Sequence, residues 1–179
     1  MSFTHPNVWG FRMHSSGQEV EQLLAVRAVL AAEAARLAAL HAGADEVRRL
    51  RALCADGEAA IAAGDVDGML AASTTLHECV AELAGNPALL DFVGQVDLRV
   101  SAHYPAITRQ RGAQAWREHH ALVDAIERKD AESAARIMRE HVDHTRAAYL
   151  QTHQPAAPAT TTRTRPAPVP ARRRRAPRP

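Results

Sequence analysis

Three residue types at helical spacing, serine, histidine and arginine, suggest a binding chemistry. In "ASTTLHECVAELAGNP", residues 72 to 87, Ser73 and His77 stand four apart and so face the same way on a helix, within the apolar stripe Val66, Met69, Leu70, Leu76, Val80, Leu83. A later stripe reads His119, Leu122, Val123, Ile126, and the last reads Ala134, Ile137, Met138, His141, Thr145, Ala148. The first stripe, Val20, Leu23, Leu24, Arg27, Leu30, Ala34, Leu37, carries an arginine in its middle, where an unpaired guanidinium is costly. Three neutral imidazoles from three helices can supply three nitrogen ligands to a divalent transition metal and leave positions for water or a small anion. An arginine nearby would hold a carboxylate by a two-point contact. Together they describe a pocket for a small organic acid. Spacing alone leaves a second reading open, in which the histidines are hydrogen-bonded core residues.

The elements that must position these residues follow from a period near 3.6 and from punctuation. Helices are predicted over 18–41, 44–63, 65–84, 86–104, 113–128 and 130–152. Gly64 closes one and Asp65 caps the next in "GDVDG"; Pro87 suits a first turn in "GNP"; Asp130 caps the last helix in "RKD". "PAITRQRGA", residues 105 to 113, reads as a loop. Short connections imply antiparallel neighbours, so the predicted fold is an all-α antiparallel bundle of six or seven helices. It occupies 18–152, between an irregular segment (1–17) and a disordered Pro/Ala/Arg-rich tail (153–179).

Charge is unevenly shared. The net charge is +2, but residues 151–179 hold seven arginines and no acid, leaving 15 basic and 20 acidic side chains, a net of −5, in residues 1–150. A mildly acidic body is no nucleic-acid surface. Arg172, Arg173, Arg174 and Arg175 are the residues able to attract phosphate backbones without sequence preference, against the plainer reading of a solubilising end. Cys54 and Cys79 lack disulfide or zinc-ribbon spacing and read as buried, reduced thiols. With no signal-like start and no apolar run of about 20 residues, a cytoplasmic protein without membrane contact is expected.

These segments resemble a known family, the FCD domain, the effector domain of FadR-subfamily GntR transcription regulators. "EQLLAVRAVLAAEAARLAAL" is similar to its opening helix, with Arg27 in the arginine position. "GDVDGMLAASTTLHECVAELAGNPALL" and "REHHALVDAIERKDAESAARIMREHV" resemble its central and closing segments, and the likeness covers about residues 18 to 150. The resemblance implies a homodimer and, in many members, a metal held by an aspartate and three histidines that helps bind a carboxylate effector. The histidines fall on His77, His119 and His141, with a divalent transition metal such as zinc or nickel as the implied cofactor. Arg27 matches an effector-facing arginine. The aspartate position holds Ser73, a poor replacement in charge, which leaves the hydroxyl to support a water or contact the effector. Ala31, where glutamate is frequent, removes a partner for Arg27 from its own helix.

The family's winged helix-turn-helix needs about seventy residues, and the roughly 17 ahead of the first helix cannot make it. DNA contact is therefore expected only through a missing or separate winged helix, or non-specifically through the tail. The function expected is an effector-sensing domain, not an enzyme. The alternatives are a metal-free dimerisation module, or a three-histidine metalloenzyme weakened by the lack of a general base, since Glu118, Glu140 and Asp143 lie beside the inward positions.

Overall fold

A computed structural model describes residues 17–153, so Arg172–Arg175 and the two expected terminal segments, except Gly17 and His153, lie outside the described residues. Every described element is helical: α1 (Gly17–His41), α2 (Ala44–Ala63), α3 (Val66–Leu83), α4 (Pro87–Val100), a 3-10 turn (Ser101–His103), α5 (Tyr104–Glu127) and α6 (Ala131–His153). None is long and apolar enough to cross a membrane.

The caps explain the boundaries. The Asp65 side chain accepts from the backbone N–H of Gly68 at 2.9 Å, Asn86 from Leu89 at 3.1 Å, and Asp130 from Ser133 at 3.0 Å, each satisfying a donor that a helix start leaves open. Residues 105–113, expected as a loop, are helical. Pro105 sits in the first turn of α5, where its missing N–H is no loss. The interruption is confined to Gly112, whose φ of 32° and ψ of −118° kink α5, a conformation that side chains with a Cβ rarely adopt.

Chain order does not give the packing order throughout. α2 packs on α3, and α5 on α6, as short connections suggest. α1 is different: it packs chiefly on α6 and also meets α4, α3 and α5, while it and α2 do not pair along their lengths. Composition accounts for this central place. Ala28, Ala31, Ala32, Ala34, Ala35, Ala38 and Ala39 are all buried, so small side chains on several faces let four helices approach. The main core joins Leu50 and Cys54 of α2, Leu76 and Val80 of α3, Trp116, Val123 and Ile126 of α5, and Met138 and Val142 of α6. Each fully buried leucine or isoleucine contributes roughly 1.5–3 kcal/mol. Cys54 and Cys79 are free and buried; burial pushes the Cys54 thiol up to about 11.

Candidate metal and effector site

The three stripe histidines meet. His77 comes from α3, His119 from α5 beyond the kink, and His141 from α6, with exposures of 9 %, 1 % and 7 %. One ring nitrogen from each lies within 4.8 Å of the others. His77 Nε2 and His141 Nε2 are 3.2 Å apart. Two nitrogens bound to one ion at 2.0–2.1 Å lie about 2.9–3.4 Å apart for angles between 90° and tetrahedral, so this spacing fits a shared metal. Both ring nitrogens of His119 are buried and without a hydrogen-bond partner among the described residues. Such orphaned polar atoms are costly unless something absent from the chain meets them. The donor set therefore fits a divalent transition metal.

The protonation pattern agrees. Burial, followed by the positive charge of Arg27 and the neighbouring imidazoles, holds His77 well below its ordinary value of 6.5. His119 is likewise held low, by burial first and then by His141. His141 lies at about 4, lowered by burial although its bond to Glu118 works the other way. Neutral imidazole is the form that ligates metal.

Glu118 of α5 orients His141. Its Oε2 lies 2.8 Å from His141 Nδ1, and its Oε1 lies 2.8 Å from His144 Nδ1 and accepts from Gln114 at 3.1 Å. Arg111 donates to the same carboxylate and, at 2.8 Å, to the hydroxyl of Thr145. Burial would raise the Glu118 pKa, but the hydrogen bonds from His141, Arg111 and Gln114 outweigh it and keep the carboxyl below the usual range. An ionised carboxylate only accepts, so Nδ1 of His141 carries the proton and Nε2 offers its lone pair toward His77.

Arg27 is 5 % exposed and paired with Asp97 of α4, through Nε to Oδ1 and through Nη2 to Oδ2 at 3.4 Å. Asp97 thus takes the part that Ala31 cannot. The Tyr104 hydroxyl donates to Asp97 Oδ1 at 2.8 Å, and the Arg27 guanidinium carbon lies 5.7 Å from the Tyr104 ring centre. Arg27, Ser73 and the three histidines line one cavity of about 60 Å³, together with Arg111 and Trp116. Trp116 packs edge-on against His119 at 4.7 Å between ring centres. It fits because α2 has Gly57 there, where a Cβ would lie 2.1 Å from the indole.

The FCD domain family model matches residues 22–144. The chain belongs to the FCD domain family. Two solved structures share this FCD fold. E. coli McbR/YncC superposes with a TM-score of 0.68 at 19 % identity, covering 76 % of this chain and 66 % of that one. Streptococcus agalactiae GntR gives 0.62 at 24 % identity, covering 72 % and 58 %. The chain thus spans about three fifths to two thirds of each. No curated protein sequence matches it.

Within this FCD domain, the sequence reading missed Asp97, Tyr104, Arg111 and Glu118. Reading 105–113 as a loop gave Arg111 no helical face. The kink at Gly112 falls between Arg111 and Glu118, so their meeting is set by the bend and not by a helical period that the sequence displays. Nothing in one sequence pairs Asp97 with Arg27, seventy residues away.

Proposed function

We propose that this FCD domain is the effector-sensing part of a GntR-type, FadR-subfamily transcription regulator, in which His77, His119 and His141 hold a divalent transition metal such as zinc or nickel. Arg27 binds the carboxylate of a small organic acid beside them, with Ser73 contacting the acid or its water. The observation that carries this reading is the meeting of three buried imidazoles from three helices, one of them with both nitrogens orphaned. Family membership supports it independently. When bound, the metal would supply a Lewis-acidic point of attachment for an anion.

The acid would tie α1, through Arg27, to the imidazoles of α3, α5 and α6. A ligand that favours the drawn-together arrangement shifts the domain toward it by its differential affinity for the two arrangements. In a homodimer that shift would change the spacing of attached DNA-reading modules over two half-sites. Exposed Leu90, Phe92 and Leu98 on α4 offer apolar surface that a second copy can cover. A sensor is favoured over a metalloenzyme because, among the described residues, no acidic side chain lines the cavity to serve as general base. Glu118, close by, is committed to Arg111, His141 and His144.

Metal analysis of protein purified without chelator or affinity tag tests this. The wild type is expected to hold close to one equivalent per chain, and the His77→Ala, His119→Ala, His141→Ala triple variant none. Metal-free protein in both cases would leave a dimerising bundle with histidines as core residues.

A further inference from the structure

We infer that the cavity is built for a compact dianion, a dicarboxylate of the oxalate or malonate class, in preference to a monocarboxylic acid. The inference rests on the metal-assisted reading and narrows its ligand.

The first argument is a count of charge. Among the described residues, the charged side chains lining the cavity are Arg27 and Arg111, and no acid lines it. Each arginine is already matched from outside the cavity wall, Arg27 by Asp97 and Arg111 by Glu118. The imidazoles ligate as neutral groups. Ser73, four residues before His77 on the same helix and lining the same cavity, is a neutral hydroxyl. The chain's own ligands thus set no negative charge against a divalent ion, and an interior with two uncompensated charges is costly. A monocarboxylate balances one of them. A dicarboxylate balances both.

The second argument is the shape of the donors. Asp97 occupies the Nε and Nη2 edge of Arg27. A guanidinium has five N–H groups and a second two-point edge, Nη1 with Nη2, and Nη1 has no acceptor among the described residues. Arg27 lines the cavity with the three histidines, so that edge can face the oxygens of a dianion held beside the imidazoles. The third is size. A space of about 60 Å³ holds roughly four to six water-sized groups, which limits the ligand to a compact acid.

The test loads the full chain with zinc alone and titrates it calorimetrically with oxalate, malonate, glycolate and acetate, measuring zinc content after each titration. Oxalate and glycolate both close a five-membered chelate and differ in one donor, a carboxylate against a hydroxyl, and with it in charge. Oxalate and malonate are expected to bind at least about tenfold more tightly than glycolate and acetate, with zinc retained. Ser73→Asp, which places a carboxylate on α3, should keep zinc and lower oxalate and malonate affinity by about tenfold or more. Glycolate binding as tightly as oxalate to the zinc-loaded wild type would overturn the inference, and this comparison needs no variant. An unchanged preference in a folded, zinc-holding Ser73→Asp protein would also overturn it. A wild type that holds no zinc would remove the metal-assisted reading together with the inference, and the zinc assay separates that failure from the other two.

Discussion

At the scale of single residues, the site is a set of buried groups held in the protonation states that ligation needs. His77, His119 and His141 face Arg27, Arg111 and Glu118 from α1 and α5, and all three imidazoles are held low, chiefly by burial. In the metal-free protein, the unfolded chain protonates these groups below about 6.5 while native His141 waits until about 4. Between those values the unfolded state binds more protons, so native stability is full above the window and falls as the pH drops through it. The thermal midpoint of metal-free protein should therefore decrease between pH 7 and pH 5, and the decrease should be smaller in the triple alanine variant. Equal slopes for the two proteins would show that the imidazoles do not contribute. At this scale the sequence was legible for residues on apolar stripes, because a polar side chain among Leu, Val and Ile at helical spacing stands out. It was silent for Arg111 and Asp97, and it placed Glu118 only beside the inward positions, because the partners of all three are set by packing.

At the scale of elements, helix positions follow from local rules. Asp65, Asn86 with Pro87, and Asp130 begin helices where such residues should. The misreading of 105–113 has a local cause too: Pro105 and Gly112 are both punctuation, yet a proline in a first turn does not end a helix, and the glycine bends α5 without stopping it. That bend separates the segment carrying Tyr104 and Arg111 from the segment carrying His119. α2 shapes the site without lining the cavity, since Gly57 leaves room for the indole of Trp116 against His119. Gly57→Ala is expected to destabilise the fold by about 1–3 kcal/mol in urea unfolding, because the Cβ overpacks a closed contact. It should also weaken zinc affinity by displacing Trp116. Wild-type stability and wild-type zinc affinity in this variant would mean that α2 moves aside freely.

At the scale of the whole molecule, the site is a joint between helices that are distant in sequence. The proposed ion, held by α3, α5 and α6, would bind the native arrangement in preference to the unfolded chain and so stabilise it. At a free zinc concentration 100 times the dissociation constant, the gain is about 2.7 kcal/mol. Differential scanning calorimetry should show the midpoint rising with zinc and returning with a chelator in the wild type, and no zinc-dependent rise in the triple variant. An equal rise in both proteins would place the ion elsewhere. In the proposed reading α1 would have the corresponding role for the acid: it is the alanine-rich centre of the bundle and carries Arg27 against α4, so an anion held there would act on the helix that touches most of its neighbours.

The amino-acid sequence by itself determined the all-α class, most helix limits, the FCD resemblance and the inward direction of Arg27, Ser73, His77, His119 and His141. These are properties of a period of 3.6 residues and of caps, which act over a few residues. Only the tertiary structure decided that α1 and α2 do not pair and that α5 runs through Pro105 with a bend at Gly112. It alone decided that Asp97 and Glu118 neutralise the two arginines of the cavity. Those outcomes depend on which helix faces pack together, and contacts such as Arg27 with Asp97 join residues that no local pattern relates.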